Sequence, residues 1–273
     1  MSEQVTPLRA LARVLALRDE GGANRRLALA VPGWPGFAPG QFAMLQAGAR
    51  GSALRRDPLL PRPMAIYREC GAAGSGEIEI LFKVHGRGTA LLADLREGDA
   101  LGFVGPLGRP FPDAPAGEPA WLVAGGTGIA SVYPLAARLA RRGNPVTVLL
   151  GARSADDLMG EEDFAELDVR LEIATEDGSR GRKGLVTALL EDALADGAEG
   201  GVYACGPTPM MAATSALAEA RGRTCWVSLE NPMACGFGVC LGCAAPRRDG
   251  SVALVCRDGP VLPGDQVAWE ALA

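Results

Sequence analysis

A chain of the α/β plus β class is predicted: an N-terminal antiparallel β-barrel, a doubly wound parallel sheet, and an appended cysteine-bearing module. Three observations predict it. Short apolar runs separated by Gly, Pro and Asp clusters fill residues 1–112, which suits an antiparallel barrel. After a Pro- and Gly-rich linker the pattern changes to strand then helix, repeated, which implies a parallel sheet with helices on both faces over 118–229. The remaining stretch, 230–273, breaks that rhythm and holds four of the seven cysteines.

The barrel strands are predicted at Leu11–Leu17, Arg26–Val31, Gln41–Gln46, Pro63–Tyr67, Glu77–Val84 and Ala100–Val104, with a small helix over Thr89–Leu95. Glu77-Ile78-Glu79-Ile80 carries the alternation of a half-buried strand most plainly. Strands of the second lobe are predicted at Trp121–Ala124, Val146–Leu150, Val169–Ala174, Val202–Cys205 and Trp226–Leu229. The helices between them are Ile129–Arg142, Asp156–Glu166, Leu185–Ala195 and Pro209–Arg221. A ligand site in such a sheet lies at the carboxyl ends of the strands.

Composition narrows the function classes. With 273 residues, 48% of them hydrophobic and 22% charged, the chain is an ordinary globular one, and its net charge of -5 argues against a nucleic-acid binder. The uncharged stretch Pro119–Ala137 is broken by glycines and Pro134, so it reads as a buried strand and turn, not a membrane span. The first twenty residues carry Arg and Asp among their apolar residues and lack a signal-peptide core with a cleavage site, so a cytoplasmic protein is expected. His85 is the single histidine, which excludes chemistry needing two, such as a Rieske centre.

Seven cysteines without a secretory signal point to metal or redox work. Cys235, Cys240, Cys243 and Cys256 are spaced C-x4-C-x2-C-x12-C, and the first three match the plant-type iron–sulfur pattern, in which thiolates hold a [2Fe–2S] cluster. A structural zinc site is the alternative, although such sites usually pair two C-x2-C knuckles and only one is present. Cys70 and Cys225 lie outside the set.

Gly125-Gly126-Thr127-Gly128 follows a predicted strand and opens a predicted helix, where backbone N–H groups can meet a pyrophosphate; a tight connection is the plain alternative. Cys205-Gly206-Pro207 ends another strand at the same sheet edge. Its thiol could border a nicotinamide ring or be a buried small residue. In the barrel half, Arg62-Pro63-Met64-Ala65, Leu81-Phe82-Lys83 and Gly88-Thr89 combine an arginine that can fork onto a phosphate with glycine and threonine at a helix start. Each of those stretches alone reads equally as a strand end or turn. Tyr67 suits either a flavin ring or the barrel core.

Taken together these motifs, with Pro39-Gly40-Gln41-Phe42 and Gly105-Pro106-Leu107-Gly108, resemble the ferredoxin-reductase-like flavoproteins over nearly the whole chain. Their order, the stretch Thr175–Thr187 and the C-terminal cysteine set are similar to the electron transfer subunit of type B dihydroorotate dehydrogenase. The resemblance implies FAD held in the barrel by Arg62, Pro63, Met64, Ala65, Leu81, Phe82, Lys83, Gly88 and Thr89. It implies NAD on Gly125, Gly126, Thr127, Gly128, Cys205, Gly206 and Pro207, and a [2Fe–2S] cluster on the four cysteines. Ala65 stands where serine is common, and Lys83 where arginine is common. The implied activity is electron transfer between NAD(H) and a partner, with no catalytic acid or base. That partner would be an FMN-containing dihydroorotate dehydrogenase catalytic subunit in a heterotetramer of two of each, serving pyrimidine biosynthesis. Subunits of ferredoxin-NADP, sulfide or hydrogenase reductases share many of these motifs, and a zinc-bearing redox sensor is the alternative of another class.

Overall fold

The computed structural model describes residues 6–47, 59–197 and 199–272. The first lobe is a seven-stranded antiparallel sheet of β1 (Leu8–Asp19), β2 (Asn24–Ala30), β3 (Phe42–Gln46), β4 (Arg62–Ala65), β5 (Arg68–Glu69), β6 (Glu77–Lys83) and β7 (Ala100–Leu107). Its spatial order is β4-β3-β7-β1-β2-β6-β5. The strands at the two edges are consecutive in sequence, so Ile66 and Tyr67 carry the chain from one edge to the other. The Ile66 N–H donates to Gln41 O and the Tyr67 N–H to Glu79 O, closing the barrel. Alternating side chains of β2 and β6, among them Leu27, Leu29, Ile78 and Ile80, fill the interior with Phe82 and Phe103. Helix α1 (Arg87–Ala93) covers one end through Leu92.

The second sheet holds β8 (Ala120–Gly125), β9 (Val146–Ala152), β10 (Arg170–Thr175), β11 (Arg182–Lys183), β12 (Gly201–Cys205) and β13 (Cys225–Ser228), all parallel. Alternation along β8 and β9 sorts the side chains onto two faces. Leu122, Val148 and Leu150 pack under α2 (Ile129–Arg141), while Val123 and Leu149 pack under α4 (Val186–Ala195) and α5 (Thr208–Ala220). Helices on both faces are the predicted doubly wound arrangement.

Two expectations need correction. The helix expected over Asp156–Glu166 is broken into a 3-10 turn at Ala155–Asp157 and a four-residue α3 (Glu161–Phe164), with Leu158 extended and Gly160 left-handed at φ 64°. A β-carbon on Gly160 would lie 2.8 Å from the Tyr67 hydroxyl, so the break lets the barrel reach α3. The C-terminal stretch, expected as an appendage, is also stitched into the second sheet. It folds as a hairpin of β14 (Ala244–Pro246) and β15 (Val252–Leu254), then α6 (Val255–Asp258), then β16 (Val261–Pro263). β16 pairs antiparallel with β13. Three residues behind a four-residue helix leave no periodic signal, which is why the strand is invisible in sequence.

An ion network locks the lobes together. The Asp163 carboxylate on α3 accepts from the Arg26 guanidinium at 2.6 Å, Arg68 at 2.8 Å and the Tyr67 hydroxyl at 2.6 Å. Glu79 accepts from the same two arginines. Desolvation opposes the charge on Asp163, but the Arg26 and Tyr67 hydrogen bonds outweigh it and hold the carboxyl below its ordinary range. The expected linker is also fixed: Asp113 pairs with Arg138, and the Asn144 amide donates to Pro115 O and Glu118 O. Among the described residues no helix is long and apolar enough to cross a membrane.

Candidate functional site

The two lobes and the C-terminal stretch enclose a cleft of about 920 Å³, within the range of a small-molecule or cofactor site. From the barrel side Pro63, Met64, Ala65, Leu81, Phe82 and Lys83 line it, joined by His85. Leu81 and Phe82 are 2% exposed, each packed into a different core, so these neighbours fix the strand edge between the lobes. From the second sheet come Gly125, Gly126, Thr127, Gly206 and Pro207, at the carboxyl ends of β8 and β12. Topology thus brings to one wall the residues that two distant motifs contributed.

Five expected residues stand off that wall. Cys205 is 1% exposed, and burial, then the Glu230 charge, push its thiol up to about 12, so it remains a neutral core group. Of the two readings open for it, the structure gives the buried one. A β-carbon on Gly128 would collide with the Cys205 carbonyl, so the last glycine of the turn serves helix–strand packing. The Arg62 guanidinium lies against the α-carbon of Gly88 and donates to Leu60 O at 2.9 Å and Pro61 O. Arginine and helix start do adjoin, as a phosphate cradle requires. The Thr89 hydroxyl, by contrast, accepts from the His85 N–H at 2.6 Å and donates to Gly86 O, so it caps its own loop.

Tyr67 is fully buried, with its ring 4.6 Å from that of Tyr133 and its hydroxyl on Asp163. It belongs to the core. Asn24, also fully buried, lines the cleft with its Oδ1 unpartnered among the described residues, an acceptor ready for a ligand donor.

Sequence reasoning missed Glu230, which lies two residues beyond β13 and lines the cleft. Surrounding protein raises its carboxyl above the ordinary range, the Thr127 hydroxyl opposing. The signal was available in principle, since a carboxylate at the carboxyl end of a parallel strand sits where such sheets bind ligands.

The four cysteines fall in one loop system. The Cys243 thiol donates to Cys256 Sγ at 3.2 Å, and the Gly238 N–H donates to the same Cys256 sulfur at 3.0 Å. Cys235 pairs with Cys240. Burial would raise the Cys235 thiol, but the N–H groups of Cys240, Phe237 and Val239 hold it down at about 6. Burial and Cys243 push the Cys256 thiol up to about 12. Among the described residues no three ligating side chains converge as around a single ion. Two thiol pairs with backbone N–H donors fit a two-iron cluster, which takes two thiolates on each iron, better than a tetrahedral zinc. Cys70 and Cys225 lie apart, in the barrel and in β13.

Cleft and cysteine loop adjoin. Met233 lines the cleft and Cys235 follows two residues later, so their α-carbons are at most about 7 Å apart. Gly236, at φ 86°, presses the loop onto the barrel: a β-carbon there would lie 2.6 Å from Met44 Cγ.

Comparison with known proteins gives a consistent family. Residues 230–268 match the iron–sulfur cluster binding domain of dihydroorotate dehydrogenase B, and residues 122–216 match the oxidoreductase NAD-binding domain. The dihydroorotate dehydrogenase B (NAD(+)) electron transfer subunit of Bacillus caldolyticus is 40% identical over 235 residues, 84% of this chain and 86% of that protein. The probable subunit of the same name from Methanopyrus kandleri is 39% identical over 226 residues, covering 83% and 79%. Among solved structures, a chain of the NADH-dependent reduced ferredoxin-NADP oxidoreductase, studied for flavin-based electron bifurcation, superposes with a TM-score of 0.83 at 30% identity. That match covers 96% of this chain and 91% of the other.

Proposed function

Because the chain belongs to the family of dihydroorotate dehydrogenase B electron transfer subunits, we propose that it carries electrons between NAD(H) and a catalytic partner through FAD in the interlobe cleft and a [2Fe–2S] cluster on Cys235, Cys240, Cys243 and Cys256. The observation that carries this reading is the adjacency of cleft and cysteine loop through Met233 and Cys235. A flavin exchanges two electrons with a nicotinamide and single electrons with an iron–sulfur cluster, so the three groups together join hydride to one-electron chemistry.

The chain's own residues bind and orient. In this reading Arg62, beside Gly88, takes a flavin phosphate. Pro63, Met64, Ala65 and the Leu81–Lys83 edge flank the ring system, and Asn24 Oδ1 accepts from the bound nucleotide. Thr89 supports the loop that presents Gly88, and Gly128 and Cys205 support the turn that presents Gly125, Gly126 and Thr127 to NAD beside Gly206 and Pro207. No side chain has to take a proton from substrate, which agrees with Cys205 being a neutral thiol. The three units 1–112, 118–229 and 230–273 correspond to flavin, nicotinamide and cluster binding. The partner is an FMN-containing dihydroorotate dehydrogenase, two copies of each chain, in the cytoplasm, a compartment that keeps thiols reduced.

The test is reconstitution of the loaded chain with that catalytic subunit, following NAD+-dependent orotate formation. The expected result is orotate from the pair and none from the chain alone. Orotate from the isolated chain, or none from a fully loaded pair, overturns the reading. The likeness to the bifurcating ferredoxin-NADP oxidoreductase favours a second reading, in which the partner is the other subunit of such a complex. Mass spectrometry of the co-purified partner separates the two.

A further inference from the structure

Lys83 and Arg153 are the lysine and arginine lining the cleft among the described residues, and a single carboxylate holds both. Asp157 Oδ1 accepts from Lys83 Nζ at 2.6 Å and Asp157 Oδ2 from Arg153 at 2.8 Å. The Lys83 bond spans the cleft from barrel to second sheet, and the Asn24 amide, on the barrel side, donates to the Asp157 carbonyl. The Lys83 and Arg153 hydrogen bonds hold the Asp157 carboxyl below its ordinary range against some desolvation.

Glu176 stands beside this group. Its N–H donates to Ala152 O and the next N–H, of Asp177, donates to Arg153 O, so the carboxyl ends of β9 and β10 lie side by side. Glu176 and Glu230 complete the acids of the cleft.

NAD(H) and NADP(H) differ by one phosphate on the adenosine ribose. A cation free at the end of the second strand of such a sheet would favour the phosphorylated form, and a carboxylate favours the 2′-hydroxyl, which can donate to it. Arg153 is that cation by position, but it is not free. A 2′-phosphate would have to displace Asp157 and then sit near Glu176.

We propose that Asp157, by holding Lys83 and Arg153, is the residue that selects NAD(H) over NADP(H). This rests on the electron-transfer reading above and assigns its nucleotide specificity to one side chain. Asp157→Asn removes, at nearly constant volume, the negative charge that holds Arg153 and Lys83, leaving a single neutral acceptor in its place, and the released Arg153 guanidinium is available to the extra phosphate.

The experiment is calorimetric titration of the cofactor-loaded chain with NAD+ and with NADP+, a binding readout independent of turnover. The wild type should bind NAD+ more tightly. Asp157→Asn should shift the ratio of the two dissociation constants toward NADP+ by about tenfold or more, the scale of a hydrogen bond to a charged group. Asp156→Asn makes the same charge change at an exposed neighbour and should leave the ratio unchanged. Adding Arg153→Ala to Asp157→Asn should remove the gain. Equal binding of both nucleotides by the wild type, an unchanged ratio in Asp157→Asn with flavin spectrum and melting midpoint retained, or an equal shift in Asp156→Asn each overturns the inference. If Asp157→Asn fails to fold, Arg153→Ala alone decides: its NAD+/NADP+ ratio should match the wild type, and a loss of NADP+ binding there shows Arg153 free and overturns the inference. Binding of neither nucleotide to the wild type overturns the electron-transfer reading itself.

Discussion

Cys235 and Cys256 are held by opposite forces although both belong to the proposed ligand set. Backbone donors win at Cys235 and burial wins at Cys256. A metal centre overrides both, because it binds the thiolate form of each. Replacing any one of Cys235, Cys240, Cys243 or Cys256 by serine should therefore abolish the cluster, read as loss of iron, acid-labile sulfide and visible absorption. Cys70→Ser and Cys225→Ser should retain all three. Normal iron in any of the first four removes that cysteine from the set. The cluster-binding segment was legible in sequence because its spacing is itself the constraint, three thiols in nine residues. Asp157 was not legible, since a lone carboxylate has no period and acquires meaning only from what the fold sets beside it, and Glu230 had only its place after a strand to mark it. Arg153 stands just past the end of a strand, and its pairing with Asp157 depends on a turn that sequence reading took for helix.

At the scale of elements, that turn and α3 carry the contact between lobes. Long periodic segments such as α2, α4 and α5 were readable because each buries a whole face. The segment around Gly160 was not, because a tertiary demand, the approach of Tyr67 to Asp163, overrides its local preference for helix. Asp163 is the carboxylate on which three barrel donors meet, so Asp163→Asn leaves Arg26 and Arg68 short of their partner. A loss of about 3 kcal/mol is expected, the scale for breaking a buried ion pair. The pH dependence follows from the lowered carboxyl. Its stabilisation is fully present above the unfolded carboxylate value of about 3.9 and is lost as pH falls through the lower folded value. Melting midpoints measured from pH 7 down to 3 should fall in the wild type with this contribution, and fall less steeply in Asp163→Asn. Parallel curves for the two proteins would show that the network adds nothing to acid stability.

At the scale of the whole molecule, the three units read from sequence are one connected body in their contacts. β16 completes the sheet of the second lobe, the Arg109 N–H at the barrel's exit donates to Gly259 O, and Gly236 seats the cysteine loop on Met44. The passage from antiparallel barrel to parallel sheet was legible from the change of period. The stitching was not, because it runs through three-residue strands and single close approaches. One face of this body is left unpaired: Phe237 is 56% exposed, Val239 73% and Leu241 62%, all inside the loop that carries Cys235, Cys240 and Cys243. Large apolar side chains clustered at the surface usually mark an interaction site. An electron acceptor must also come close to the cluster, and this face is the one beside the thiols. Phe237→Asp and Val239→Asp leave the cysteines and their backbone donors in place, so iron content and spectrum should be unchanged. Affinity for the catalytic subunit should fall by about thirtyfold or more for Phe237→Asp, the effect of removing a buried aromatic anchor of about 2 kcal/mol. Leu11→Asp, at a similarly exposed apolar residue on β1, serves as the control and should have no effect. Sedimentation velocity and calorimetric titration with the loaded catalytic subunit read the outcome. Undiminished affinity in both loop variants would move the docking face away from the cluster. The electron route would then have to leave the protein by another surface of the loop.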